Sequence, residues 1–181
     1  MPPRAPKPVL VLMGVSGSGK STLAALLAQR LGWPLQEGDA LHPQANVDKM
    51  AAGQPLDDAD RRPWLRLVAA WIDQRAAAGE PGIVTCSALR RAYRDVLRRD
   101  FVRFVHLTGD RRLLARRMQD RNGHFMPPSL LDSQLATLET PAADEAAITI
   151  DIALTSEAQV AGVLAYICLA IDGGDGAVSG F

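Results

Sequence analysis

Residues 9–13 form an unbroken apolar run, the pattern of a strand covered on both faces. After a glycine-rich stretch, Leu23, Leu26, Leu27 and Leu31 recur at helical spacing. The same alternation continues along the chain. It predicts further strands over residues 34–38, 82–87, 101–107 and 147–152, and helices over 45–52, 58–78, 90–98, 110–121, 129–138 and 157–171. Parallel strands need crossovers, and crossovers bury both faces of a sheet. The pattern therefore predicts an α/β fold, a mostly parallel five-stranded sheet with helices on both faces. Ligands of such folds gather at the carboxyl ends of the strands. The second strand, closed by Glu37-Gly38-Asp39, is expected to run beside the first and to deliver its carboxylates there.

No internal repeat or linker interrupts the pattern, so one domain is expected over 9–171. A disordered proline-rich start over 1–8 and a flexible glycine-rich tail over 172–181 flank it, and residues 121–128 read as a mobile lid. A chain of 181 residues buries a sizeable core without disulfides or a structural metal. Composition acts by exclusion: 20 Lys and Arg balance 20 Asp and Glu, which leaves no electrostatic case for nucleic acid or an anionic membrane as the partner. The apolar runs fall short of a membrane span, which points to the cytoplasm. Cys86 and Cys168 lie in separate apolar runs, expected as two buried thiols of a reducing compartment, and their spacing suits no metal.

Candidate chemistry begins after the first strand. Gly14-Val15-Ser16-Gly17-Ser18-Gly19-Lys20-Ser21 fits G-x-x-x-x-G-K-[ST], the phosphate loop, between a buried strand and a helix. Its glycines let successive backbone N–H groups face phosphate oxygens, and the helix start adds its positive dipole end. Gly14, Ser16, Gly17, Ser18, Gly19, Lys20, Ser21 and Thr22 are thus expected to bind ATP. Lys20 would reach the β- and γ-phosphates, and the Ser21 hydroxyl would ligate Mg²⁺.

The acceptor cannot be read from that loop. Asp39 suits an acid that takes a proton from, or orients, an attacking hydroxyl, and Glu37 one that holds a Mg²⁺-bound water; both also fit solvated turn carboxylates. Arg90, Arg94 and Arg98 fall at i, i+4, i+8 and could grip a substrate carboxylate or form a solvated basic face. Arg112, Arg116, Arg117 and Arg121 lead toward the lid, where fixed cations could clamp adenine or the transferring phosphoryl group. His42 and His124 lie in predicted loops, while His106 reads as a hydrogen-bonded core residue. Trp64, Leu67, Val68 and Trp71 form a core stripe, and Asp57, Asp58 and Asp60 cap that helix.

With the phosphate loop, the blocks Gly38-Asp39-Ala40-Leu41-His42-Pro43, Lys49-Met50, Gly53-Gln54-Pro55-Leu56-Asp57-Asp58 and Asp60-Arg61-Arg62-Pro63-Trp64-Leu65 resemble the gluconate kinase family. Cys86-Ser87-Ala88-Leu89, Tyr93-Arg94-Asp95, Gly123-His124-Phe125, Gln134 and Leu138-Glu139 follow in the same order. The resemblance implies a P-loop kinase of the nucleotide-kinase type with a mobile lid, often a homodimer. It implies ATP-dependent phosphorylation of D-gluconate at its terminal hydroxyl to 6-phosphogluconate. By position it puts Asp39, His42, Arg94 and His124 near the sugar acid, with Lys49 and Ser87 as further candidates, and Arg116 and Arg121 beside ATP. Glu37 stands where the family pattern has aspartate, and Met126-Pro127-Pro128 makes the lid richer in proline. A kinase resembling shikimate kinase, a nucleoside monophosphate kinase and a nucleotide switch are the alternatives; no N-K-x-D guanine signature occurs.

Overall fold

A computed structural model describes residues 7–120 and 128–172. Five parallel strands form one sheet in the order β2-β3-β1-β4-β5: β1 Val9–Met13, β2 Leu35–Glu37, β3 Gly82–Thr85, β4 Val102–Thr108 and β5 Ala147–Asp151. The helices are α1 Lys20–Leu31, α2 Gln44–Ala51, α3 Asp58–Ala77, α4 Arg91–Leu97, α5 Arg111–Gln119, α6 Pro128–Thr137 and α7 Ser156–Asp172. A 3-10 turn over Gly38–Leu41, which the periodicity did not indicate, follows β2.

Alternation along β1 explains the two helical layers. Leu10 and Leu12 point to one face, where they meet Leu23 and Leu27 of α1 and Val163 and Ile167 of α7. Val9, Val11 and Met13 point to the other, against Trp64, Val68 and Ile72 of α3 and Tyr93 and Leu97 of α4. All five β1 residues are fully buried, so the unbroken apolar run is what a strand covered on both sides requires.

One placement differs from the sequence expectation. The second strand does not run beside the first; β3 lies between them and pairs with both. The residues carry the reason: β3 is buried along its whole length, whereas β2 is only three half-buried residues and suits an edge. Cys86 is buried as expected, and burial pushes its thiol up to about 12. Cys168 is exposed instead, because it follows the inward residue Ile167 and so turns off the buried stripe of α7. His106 is core, but neither ring nitrogen has a hydrogen-bond partner among the described residues. Burial, followed by the Arg94 charge, holds its pKa below the ordinary histidine value.

Candidate active site

The phosphate loop lies at the carboxyl end of β1, and three glycines give it its shape. Gly14, Gly17 and Gly19 have φ of 142°, 80° and 88°, a region that L side chains rarely adopt. Neighbours close in as well: a Cβ on Gly14 would lie 2.6 Å from the Leu107 carbonyl oxygen. The Gly14 N–H donates to the Ser87 carbonyl at 3.2 Å, which joins the loop to the segment after β3. Lys20, first residue of α1, turns its Nζ back over the loop to the carbonyls of Gly14 (3.0 Å) and Val15 (3.1 Å). The Ser18 hydroxyl is buried within the loop without a partner among the described residues.

Glu37 ends β2 two strands away, yet its Oε2 accepts from the Ser21 hydroxyl at 3.0 Å and from the Thr85 hydroxyl at 2.5 Å. Thr85 also accepts from the Gly38 N–H at 3.1 Å. Gly38 sits so close to β3 that a Cβ there would fall 1.9 Å from the Thr85 carbonyl oxygen. The structure thus brings Ser21 and Glu37 together as hard oxygen donors at the start of α1, a donor set that fits Mg²⁺.

Beyond Gly38 the chain builds the acceptor side. Asp39 projects its carboxylate into solvent, with the side chain 96% exposed. His42 lies beneath it, 6% exposed, with Nε2 3.9 Å from the Asp39 carboxylate. The imidazole stacks on Trp64 at 4.3 Å between ring centroids, and the Asn46 amide meets its Nδ1 at 3.2 Å. Trp64 in turn donates from its indole to the Gly38 carbonyl at 2.7 Å. Burial lowers the His42 pKa against the upward pull of Asp39, and Arg61 lowers it further, so the ring is neutral at pH 7. Lys49 contacts Asp60 at 2.5 Å and Asp57 at 3.7 Å, and those two acids form a capping box at the start of α3. Its ammonium therefore fastens α2 to α3. Ser87 is half-buried beside the phosphate loop.

The arginines divide. Arg90 faces Asp58 at the surface, and Arg98 pairs with Asp95 at 2.7 Å. Arg94 is fully buried against Glu145, so the three form no common basic face. Arg116 is exposed on α5, while Arg117 lies over Gly19 and donates to the Ile152 carbonyl at 2.6 Å. Arg117 lines a cleft of about 200 Å³ with Thr22, Leu26, Ser156 and Gln159. The family resemblance singled out Arg116 and Arg121 and left Arg117 only as a member of the cluster; the signal was its place three residues after the buried Leu114 and beside the buried Met118, on the inward side of α5. Gln134 of α6 was also missed as a site residue: its amide accepts from the Ser16 N–H at 2.7 Å and donates to the Ser16 hydroxyl at 3.1 Å. Arg121 and His124 lie outside the described residues.

A phosphate cradle facing an acidic strand edge, in a parallel sheet of this order, makes the chain a P-loop kinase. A family model described as an AAA domain matches residues 9–141. The gluconokinase of Gluconobacter oxydans (strain 621H) is 58% identical over 143 residues, covering 78% of this chain and 80% of that protein. The chain belongs to the gluconokinase family. Two solved structures agree: a sugar kinase from Janibacter sp. HTCC2649 (TM-score 0.84, 46% identity, 94% of this chain and 100% of that one) and a gluconokinase from Sinorhizobium meliloti 1021 (TM-score 0.81, 46% identity, 93% and 97%). Among the described residues no helix is long and apolar enough to cross a membrane.

Proposed function

We propose that this protein phosphorylates D-gluconate from ATP, giving 6-phospho-D-gluconate and ADP. The observation that carries the reading is the 58% identity to a gluconokinase over most of the chain, supported by the Ser21–Glu37 hydrogen bond that ties the start of α1, just after the phosphate loop, to the strand end leading into the Asp39–His42 turn. In the reaction the terminal hydroxyl oxygen of gluconate bonds to the γ-phosphorus, the bond to the ADP oxygen breaks, and the hydroxyl proton passes to the Asp39 carboxylate. Lys20 compensates charge on the transferring phosphoryl group, and the loop N–H groups hold the chain of phosphates. The neutral His42 ring orients Asp39 and presents a hydrogen bond toward the sugar acid. The Arg117 cleft takes the nucleoside end of ATP, and Arg116 and Arg121 keep the ATP-side role that the family resemblance implies.

Mg²⁺ supplies charge neutralisation between phosphates when bound, and Ser21, with Glu37 behind it through water, would hold it. Ser87, Lys49 and His124 complete the acceptor side, with Lys49 acting through Asp60. We further assign one catalytic domain over 9–171 with a lid near 121–128, a homodimeric assembly and a cytoplasmic location. The test is ADP release from Mg-ATP with gluconate, shikimate, glycerate, nucleoside monophosphates and no acceptor. A response to gluconate alone is expected, and turnover indifferent to gluconate overturns the reading.

A further inference from the structure

Arg94 and Glu145 are the most deeply buried opposite charges described, each side chain 0% exposed. Their contact is two-pronged: Nε to Oε2 at 2.5 Å and Nη2 to Oε1 at 3.0 Å. The remaining guanidinium nitrogen turns to the backbone, with Nη1 donating to the carbonyls of Ala88 (3.0 Å) and Leu89 (3.3 Å). Glu145 Oε1 also accepts from the Ala142 N–H at 3.0 Å, which ties the segment before β5 into the same cluster. Each guanidinium nitrogen thus has a protein acceptor, in a position closed to solvent.

What this pair holds is unusual. Ala88 has φ 44°, the single non-glycine residue with positive φ among the described residues, and a Cβ disfavours that conformation. The turn is clamped from several sides, since the Leu89 carbonyl also accepts from the Glu139 N–H at 2.8 Å, and Glu139 accepts from the Arg91 N–H at 2.7 Å. One residue earlier, the Ser87 carbonyl accepts from the Gly14 N–H that opens the phosphate loop. The strained residue therefore lies between the buried cation and the junction of the two halves of the site.

A buried ion pair is a poor means of gaining stability, because desolvation offsets the Coulomb attraction and well-packed apolar side chains often serve as well. Geometry is what an apolar pair could not reproduce: Met and Leu have no N–H to place on two consecutive carbonyls. We propose that Arg94, oriented by Glu145, is a positioning residue that holds the left-handed turn at Ala88, and so fixes Ser87 and the entry of the phosphate loop for phosphoryl transfer. This role, which builds on the kinase reading above, replaces the substrate grip expected of Arg94. Glu145 is held below the ordinary glutamate range, first by the Arg94 hydrogen bond, in keeping with a carboxylate that stays charged in the core.

The deciding variant is the double replacement Arg94→Met with Glu145→Leu, which removes both charges and leaves neither stranded. Beside it stands Arg94→Lys, which keeps the cation and loses the fork. Three quantities are read: amide exchange at residues 87–90, Mg-ATP affinity by titration without acceptor, and steady-state turnover. For the folded double variant we expect exchange at 87–90 at least about tenfold faster, kcat at least about tenfold lower and Mg-ATP affinity within about threefold of wild type; Arg94→Lys should show the same changes in smaller degree. A folded double variant with wild-type exchange and kcat within about twofold overturns the proposal, as does an Arg94→Lys enzyme that loses only gluconate KM with unchanged exchange. If the unaltered protein releases no ADP with gluconate, the functional reading fails by itself, and exchange at 87–90 still decides the role of Arg94.

Discussion

The phosphate loop and the Asp39–His42 turn are built by different means. Around Lys20, the loop shapes itself largely from within, through glycines in left-handed conformations and a side chain that returns to carbonyls five and six residues back. Around His42, the contacts come from far away: Trp64 stacks on the ring from α3, Asn46 links it to the Asp60 carbonyl at 2.9 Å, and Gly38 is fixed by Thr85 of another strand. A self-shaped loop can be moved between many proteins as a unit, which is why it names the donor of the phosphoryl group and no acceptor. The acceptor side depends on how α2, α3 and β3 pack, and specificity lies there.

Substitutions can break this contrast, beginning with the largest effect. Lys20→Ala removes charge compensation common to every acceptor and should lower turnover by at least about 10³-fold whichever sugar acid is offered, read by coupled ADP release. Asp39→Asn should cost about 10²–10³-fold in kcat while Mg-ATP affinity stays within a few-fold, because the carboxylate acts on the hydroxyl and not on the nucleotide. A parallel loss of ATP affinity would place Asp39 on the donor side. Gly38→Ala drives a Cβ toward the Thr85 carbonyl and should destabilise the fold by about 1–3 kcal/mol in denaturant titration, with the acceptor KM rising before the ATP KM. Gln134→Ala leaves the Ser16 N–H without its side-chain acceptor and should lower stability by about 1 kcal/mol in denaturant titration.

The smallest effect is in pH. His42 and His106 both have folded pKa values below the free value of 6.5, so between the two values the unfolded chain binds more protons and stability rises with pH. Their contribution is present above pH 6.5 and is lost as pH falls below it toward each folded pKa. The expected result is a melting temperature that declines from pH 7 toward pH 5, with a shallower decline in His106→Leu. An unchanged slope in that variant would leave His42 as the titrating group.

Much of this was legible in the residues, and the misses share a cause. The five strands, the helices and the phosphate loop follow from local periodicity and glycine spacing, which a chain carries wherever it folds. Ser21 and Glu37 were singled out from residue type and position and do meet. The reading failed where a choice depended on neighbours: the place of β3 between β1 and β2, the exposure of Cys168, the ring of His106 without a hydrogen-bond partner among the described residues, and the division of Arg90, Arg94 and Arg98.

Arg94 shows why. In sequence it is one of three arginines at helical spacing, and a surface grip and a solvated face were the available readings. Glu145 stands 51 residues away, and no periodicity connects the two. The sequence by itself determined the α/β layering, the phosphate cradle and the family resemblance, because these rest on short-range pattern. Tertiary structure alone decided that β3 lies between β1 and β2, which arginine enters the core and what holds Ala88 in its left-handed turn, because burial and pairing are properties of segments brought together from distant parts of the chain.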